Sequence, residues 1–568
     1  MDKRTILYRG DLKSCNYHCS YCPFSKHRSS AAELDRDREH FARFCHSVEE
    51  RARELSLGAV LVIPYGEASI HSWYWEGLGR LAAVPGIDRV GMQTNLSFPV
   101  EECLERFWQH LCLGKKTWGG CTLEEKIQEG RTCREKLCLW ATFHPEMTDV
   151  DAFVAKCHQL AGNGVRLCAG AVGVPANIPL LQRLRWKLSP DIYLWINKMD
   201  GLGRNYRSEE IHALSRIDLF FERELAQTAA RVELCADRCF VEADGRMHSC
   251  NISRVKAGNW YESDREAIFR PLCGQKRCSC YLAYGGRADF AGRQFFGEYP
   301  MFRIPRRFRA VFFDLDGTLL EKGDRRGMGN GGMQDTWGLP EEISRYLAAL
   351  GQTCQLFLAT SLPEEEARKR IREDMELFRG GVFASGAHVW VRAAESQEGQ
   401  AAGRGGAYVG EAIYPVDASC LPELGEFAEK IRARVKAYRK NQTVYKITLA
   451  KRHNSIWKEQ ECSQIEELLK QTGSRIFVEE NCLEIVGRDR NKGTGLKEIC
   501  EWLDLSPGEV LAVGNDREDE SMGRVQGVCF LKMSVPGKCR DADSGYASVA
   551  GGHLPAEAAK VQGRGPFA

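Results

Sequence analysis

No run of apolar residues in the 568-residue chain approaches the roughly 20 needed to span a bilayer. Its start, Met-Asp-Lys-Arg-Thr-Ile-Leu-Tyr-Arg-Gly, has no apolar stretch of the kind a secretion signal carries. These two lacks exclude a membrane-spanning or exported class and place the expectation in the cytoplasm. A charge excess is missing too: 79 Lys and Arg stand against 77 Asp and Glu. Without a basic surplus to track a phosphate backbone, nucleic acid is not the favoured partner, and a small molecule is. Cysteine, by contrast, is plentiful. In a chain without an export signal, 24 cysteines read as metal ligands and buried thiols, because the cytosol keeps thiols reduced. Seventeen of them precede residue 290 and seven follow it, which marks the first half as the metal-bearing part. Cys103, Cys112, Cys121, Cys133 and Cys138 have no paired ligand spacing and are expected to be packing thiols. The length exceeds what one core organises, so two or three domains are expected.

The densest cysteine set is Cys15-Asn-Tyr-His-Cys19-Ser-Tyr-Cys22. Three thiolates at this spacing can hold three corners of an iron–sulfur cube and leave the fourth iron open for another ligand. Structural zinc is the alternative, with His18 as a fourth donor, although zinc favours paired knuckles in a closed tetrahedron. Here the chain resembles the radical S-adenosylmethionine (SAM) superfamily. The resemblance implies a [4Fe-4S] cluster whose open iron chelates the methionine end of SAM, and reductive cleavage of SAM to a 5′-deoxyadenosyl radical. It also implies an external electron donor such as flavodoxin or ferredoxin, and puts Tyr21 beside the adenine.

Beyond this loop, apolar segments alternate with polar helical ones, the pattern of a parallel sheet wrapped by crossover helices. Strands are expected near 5–9, 59–64, 88–93, 137–142, 165–172 and 192–197. Six such units resemble the partial (β/α)6 barrel of radical SAM enzymes, here placed over 1–225. In such folds ligands gather at the carboxyl ends of the strands. The resemblance extends to several strand ends: Gly66-Glu67, where bare backbone and a carboxylate would meet the SAM ammonium group; Asn95, Thr142 and Asn197, where ribose or carboxylate would be reached; and Gly170-Ala-Val-Gly173, which would line adenine.

Between 226 and 290 lies a second cysteine group: Cys235, Cys239, Cys250, Cys273, Cys278 and Cys280. The piece from Cys239 to Cys250 reads as a hairpin turning at Asp244-Gly245. The layout resembles the auxiliary-cluster extension of SPASM or twitch type, which implies a second iron–sulfur cluster with Cys235, Cys250, Cys278 and Cys280 as its expected ligands. Zinc remains the alternative for these thiols. Residues 291–308, rich in Phe and Arg, are expected to be a linker.

The chain then changes character. Ala310-Val-Phe-Phe-Asp314-Leu-Asp316-Gly317-Thr318 is an apolar strand delivering two carboxylates two residues apart, hence on one side of the strand. It resembles the first motif of haloacid-dehalogenase-type (HAD) phosphatases, in which the first Asp attacks phosphorus and the second serves as acid and base. The later motifs follow in order. Thr360 closes an apolar strand and offers a hydroxyl to a phosphoryl oxygen, and Lys492 opens a helix where it can neutralise phosphate. Asn515, Asp516 and Asp519 resemble the acidic motif that, with Asp314 and Asp316, anchors Mg²⁺ through hard oxygens. Asn515 aligns with the usual first metal-binding Asp of that motif, a lost charge that should weaken Mg²⁺. The resemblance implies a Rossmann-like core over 309–386 and 488–540, a Cof-like α+β cap over 387–487 and a flexible tail over 541–568. Strands near 443–449 and 482–486 and a helix at 457–470 are expected in the cap, and 394–408 is expected to be flexible.

The resulting expectation is a bifunctional α/β enzyme: a radical SAM domain fused to a Mg²⁺-dependent phosphatase acting on a small phosphorylated metabolite. Two alternatives stand beside it: a radical SAM enzyme that matures a ribosomal peptide, and a HAD half that binds phosphate as a non-catalytic scaffold.

Overall fold

A computed structural model describes residues 3–24, 27–114, 135–226, 228–253, 255–278, 280–320, 338–393, 408–451, 455–479, 482–533 and 548–549. The chain forms two compact units, Met1–Arg306 and Arg307–Ala568.

In the first unit, strands β1 (Arg4–Tyr8), β2 (Leu57–Val62), β3 (Arg89–Thr94), β4 (Leu137–Phe143), β5 (Arg166–Val172) and β6 (Leu194–Asn197) lie side by side in chain order, every neighbouring pair parallel. Helices between them provide the crossovers that parallel pairing demands. The helix Ala31–Arg51 starts at a capping box, in which Ser30 accepts from the Glu33 N–H and the Glu33 carboxylate accepts from the Ser30 N–H at 2.7 Å. Alternation sets the two faces of the sheet. Ile6, Tyr8, Val60 and Val62 join Phe41, Phe44 and Trp75 of the helical layer, while Leu7, Ala59, Leu61, Trp140 and Trp195 face the other way.

Two features lay beyond the reach of local pattern. After a short strand β7 (Thr228–Ala229), the expected hairpin forms as β8 (Arg238–Val241) and β9 (Arg246–His248), with Gly245 at φ +88° in its turn. β8 also adds parallel to β1, so the hairpin and β10 (Lys256–Asn259) extend the main sheet to nine strands. A two-residue strand β11 (Arg277–Cys278) pairs with β7. The segment expected as a linker, 291–308, is for the most part no free connection: Phe296, Tyr299, Met301, Phe302 and Ile304 are buried against the sheet face that the helices leave bare. Its aromatic content is what that face requires. Arg303 goes in with them. At φ +54° its guanidinium lies over Tyr281 (3.5 Å), Trp195 (4.3 Å) and Trp140 (5.0 Å) and pairs with buried Glu224 at 3.2 Å.

The second unit centres on β12 (Ala310–Phe313), parallel to β13 (Gln355–Ala359) on one side and, in chain order later, to β21 (Val510–Gly514) on the other. β14 (Gly380–Phe383) follows β13 in parallel, then β15 (His388–Arg392) and β16 (Tyr408–Ile413) add antiparallel. The cap boundary expected at 387 is thereby corrected: 388–392 and 408–413 extend the core sheet, and the insert begins after Ile413. The insert is a four-stranded antiparallel sheet of β17 (Ala433–Lys440), β18 (Thr443–Lys451), β19 (Ser474–Glu479) and β20 (Cys482–Gly487), in the order β17-β18-β20-β19. Helices Leu421–Lys430 and Glu459–Leu468 contribute to its separate core. On the far side β22 (Cys529–Met533) pairs with β21. β23 (Ser548–Val549) pairs with β22, so part of the tail expected to be flexible is a sheet edge. The stretch 394–407 and the rest of the tail lie outside the described residues. Among the described residues, no helix is long and apolar enough to cross a membrane.

Candidate functional site

In the first unit Cys15, Cys19 and Cys22 sit on the loop that leaves β1. The next strand holds that loop closely: Gly66 N–H donates to Leu12 O and Glu67 N–H to Ser14 O, each at 3.0 Å. A Cβ at Gly66 would lie 2.2 Å from Ser14 O, so only glycine admits this approach. Asn95, just past β3, donates through Nδ2 to Asn16 Oδ1 (3.1 Å) and approaches Cys15 Sγ (3.7 Å), while Tyr17 N–H points at the same sulfur from 3.4 Å. From the end of β4, Glu146 accepts from Ser20 N–H at 2.7 Å. Tyr21 is held by His144, hydroxyl to Nδ1 at 2.9 Å with the rings stacked. Thr142 and Asn197 lie half-buried on β4 and at the end of β6.

Glu67 turns its side chain into the fold beside the cysteine loop. Its carboxylate is buried and accepts from Asn95 N–H at 2.7 Å and from the Ser69 N–H and hydroxyl. A buried carboxylate needs such donors, and here it fixes Asn95 over the cysteine loop. Gly170 is likewise covered, because the Trp195 indole packs where a Cβ would stand. Burial pushes the Cys15 thiol up to about 11, with Glu67, Cys19 and Cys22 adding to the rise, and pushes Cys19 up with help from Cys22. Burial thus keeps Cys15 and Cys19 protonated until a soft cation displaces their protons. Three thiols with N–H donors aimed at sulfur fit an iron–sulfur cluster by donor chemistry. Among the described residues, no three His, Cys, Asp or Glu side chains close on a point as a single ion requires.

In the second cysteine group Cys235 follows β7, Cys250 follows β9, and Cys278 lies on β11, which pairs with β7. Cys250 and Cys278 are buried in one cluster against which Cys280 packs, and Cys280 Sγ lies 4.0 Å from Nδ2 of Asn251, the neighbour of Cys250.

In the second unit the parallel pairing of β12 with β21 sets Asp314 beside the loop 515–519. Lys492, first residue of the helix Lys492–Trp502 capped by Asn491, donates to Asp314 Oδ1 (2.8 Å) and Asp519 Oδ1 (2.7 Å), with Glu518 at 4.0 Å. Burial alone would lower Lys492, but Asp314, then Asp519, Glu518 and Asp516 outweigh it and hold the ammonium protonated. At Asp314 burial outweighs the pull of Lys492 and pushes the carboxyl well above the usual range. The pocket therefore holds more acid than Lys492 alone neutralises. Thr318 Oγ1 contacts Asp314 at 3.3 Å, and Thr360 is buried at the end of β13, its hydroxyl accepting from Leu362 N–H at 3.1 Å. Asp316 Oδ1 pairs with Arg370 at 2.7 Å, a partner far along the chain that sequence reasoning missed.

Of the residues expected to anchor Mg²⁺ in this loop, Asp519 is fully engaged: Lys492 holds one oxygen, and the N–H groups of Asn515 (2.8 Å) and Asp516 (3.0 Å) hold the other. Asp516 Oδ1 accepts from Glu518 and Asp519 N–H. Asn515 donates through Nδ2 to Asp316 O at 3.2 Å, which leaves its buried Oδ1 without a partner. Glu518 Oε1 is also buried without one, and burial pushes that carboxyl up. Two orphaned oxygens beside surplus acid fit a hard cation such as Mg²⁺. Glu518 could have been noticed as one more acid in the run 515–520; its burial could not.

From the insert, Lys446 of β18 reaches this region, donating to Ser361 O and pairing with Glu484 of β20, each at 2.6 Å.

Residues 423–530 match the family model described as haloacid dehalogenase-like hydrolase, a span that takes in most of the insert, Lys492 and the 515–519 loop. No curated protein matches the chain in sequence. Solved structures that resemble it include a member of a phosphoryl-transfer superfamily whose X-ray structures show a conserved trigonal-bipyramidal intermediate, 16% identical, covering 44% of this chain and 94% of that one with a TM-score of 0.32. A sugar phosphatase of HAD subclass IIB is 16% identical, covering 40% of this chain and 87% of that one (TM-score 0.29). A HAD phosphatase from Bacteroides thetaiotaomicron is 12% identical, covering 40% and 84% (TM-score 0.29). The C-terminal unit contains a haloacid dehalogenase-like hydrolase domain.

Proposed function

We propose that the chain is a bifunctional enzyme: a Mg²⁺-dependent phosphatase of small phosphorylated metabolites in its C-terminal unit, joined to a radical SAM enzyme in its N-terminal unit. For the phosphatase the supporting observation is Lys492 bridging Asp314 and Asp519 beneath the end of β12. In this reading Asp314 attacks phosphorus, and Lys492 lowers the repulsion between its carboxylate and an incoming phosphate. Asp316, held by Arg370, is the group that passes a proton to the leaving oxygen and then takes one from water. Thr360 offers its hydroxyl to a phosphoryl oxygen. A Mg²⁺ bound at Asp314, the Asp316 carbonyl, Asn515 and Glu518 would supply further positive charge to the phosphate. Phosphate release from a panel of sugar and nucleotide phosphates, lost in Asp314→Asn, is the test. Unchanged release in that variant would refute the assignment. A second reading, a phosphate-binding scaffold, is favoured by one observation: Asn515 brings no charge and gives its amide hydrogen to Asp316 O.

For the N-terminal unit, the support is the three-cysteine loop lying against the strand ends of β2, β3 and β4, where a partial barrel would hold its cofactor. A cluster on Cys15, Cys19 and Cys22 with SAM at its open iron would supply an electron and a 5′-deoxyadenosyl radical. Within that arrangement Gly66 and Glu67 set the depth of the loop, Asn95 and Tyr17 N–H direct hydrogens at Cys15, and Tyr21 with His144 walls the side toward β4. The reading also includes a second cluster in 226–290 and an external reductant such as flavodoxin or ferredoxin. Anaerobic reconstitution with iron and sulfide, followed by dithionite and SAM, should release 5′-deoxyadenosine. No release from protein carrying its full iron content would refute it.

A further inference from the structure

Two strands of the first sheet open on an arginine, Arg89 in β3 and Arg166 in β5, and the segment 291–306 carries Arg293 and Arg306 among its aromatics. Register puts the first two on one face. Cys138 of β4 pairs with Gly91 on one side and Arg166 on the other, and Arg89 lies two residues before Gly91. Alternation therefore turns Arg89, Cys138 and Arg166 toward the face that 291–306 covers. At the amino ends of these strands, cover and sheet enclose a cavity of about 570 Å³. Buried Cys138, Phe296, Phe302 and Ile304 supply its apolar lining, and half-buried Arg89, Arg166, Arg293 and Arg306 its charged lining. From Cys138 to Phe143, the last residue of β4, is about 17 Å of strand, so this cavity is separate from the cysteine loop at the carboxyl ends.

The arginines are fastened in place. Arg89 Nη1 donates to Glu135 O (3.1 Å) and Asp88 O (3.3 Å), Arg166 Nη2 to Pro305 O (2.6 Å), Arg293 Nε to Arg287 O (2.8 Å) and Arg306 Nη1 to Gln294 O (3.2 Å). A carbonyl orients a guanidinium without cancelling its charge. The cover is built to hold Arg306 as well: Gly297 turns the chain at φ +77°, and a Cβ on it would stand 3.1 Å from Arg306 Cγ, while Arg306 N–H donates to Phe295 O at 2.9 Å. Acid is scarcer here than base. Among the lining residues Glu298 is the single carboxylate; Asp237 pairs with Arg293, and Asp88 close by is matched by Lys3. Four guanidiniums against Glu298 and Asp237 leave two positive charges.

We propose that this cavity binds a small phosphate monoester with an apolar or aromatic body. Guanidinium forks match phosphate oxygens, and a phosphate monoester brings about two negative charges near neutral pH. The apolar lining takes the rest of the molecule, and the volume lies within the range of small-molecule sites. The assignment depends on neither the cluster reading nor the phosphatase reading.

The test uses the full chain carrying Asp314→Asn, so that the second unit does not hydrolyse the probe, with AMP as probe and adenosine as its neutral counterpart. Hydrogen exchange followed by mass spectrometry reports on each segment separately. AMP should slow exchange across 293–306, and adenosine should not. Read from the concentration dependence at that segment, Arg89→Ala should weaken binding about tenfold or more, since it removes a charged donor. Glu298→Ala, at an exposed position, should tighten binding about threefold or more by removing the opposing charge; it decides the matter even if Arg89→Ala fails to fold. Protection confined to the second unit, equal protection by adenosine, or an affinity that Glu298→Ala leaves unmoved would overturn the assignment.

Discussion

Glu224 offers a sharp test of how the bare face of the first sheet is filled. Burial pushes its carboxyl up to about 7 from an ordinary 4.5, against the pull of Arg303 and with the repulsion of Asp218. The folded state thus keeps a proton that the unfolded chain gives up near 4.5. Below that pH both states are protonated and this group's stabilisation is fully present. It is lost progressively as the pH rises to about 7, after which the penalty is constant. At roughly 1.4 kcal/mol per tenfold change in proton binding, the loss between pH 5 and pH 8 is about 2–3 kcal/mol. Glu224→Gln removes the titration while keeping an oxygen for the Arg303 Nη2 and Tyr284 hydroxyl donors. Urea unfolding followed by tryptophan emission suits the assay, since Trp140 and Trp195 lie against Arg303. Wild type should lose about 2–3 kcal/mol more than Glu224→Gln over that range. Parallel pH profiles for the two would mean that Glu224 is ionised throughout, and that its pairing with Arg303 outweighs the cost of burial.

Three further outcomes follow from the geometry. Lys492→Met leaves the buried carboxylates of Asp314 and Asp519 facing each other, so the second unit should lose about 3–5 kcal/mol, read as a lowered thermal midpoint; an unmoved midpoint would contradict the bridge. Gly66→Ala drives a Cβ into the Ser14 carbonyl, an overpacking worth about 1–3 kcal/mol, and limited proteolysis should then cut at 10–24 faster than in wild type. Asn515→Asp adds a carboxylate to the orphaned-oxygen pocket and should tighten Mg²⁺ binding about tenfold or more by calorimetry, since one added charge near a cation is worth at least ~1.4 kcal/mol there; unchanged affinity would place the cation elsewhere.

The readable parts of this chain are those whose chemistry is local. Asp314 and Asp316 stand out because a single strand carries its own apolar run and both carboxylates. The parallel α/β layout of the first unit was legible for the same reason, each strand announcing itself through a few consecutive side chains. Composition misled where it was asked for a long-range answer. The Phe-rich stretch after residue 290 looked like a linker, yet its aromatics fill the sheet face left bare by helices, and Arg303 is buried with them. Residues 388–392 and 408–413 looked like the start of the cap, but β15 pairs with β14 and β16 with β15, which makes them core sheet.

The sequence alone determined the kinds of atom available: three close thiols, a second cysteine-rich region, two carboxylates on one strand, a lysine at a helix start. Which of them meet was decided only by the tertiary structure. Arg370 reaches Asp316 because α/β winding returns its helix to the strand end. Glu67 turns inward because a buried carboxylate needs the Asn95 and Ser69 donors. Spacing along a chain constrains neighbours within a turn or a strand. Closing loops of tens to hundreds of residues is settled by burial and pairing across the whole fold.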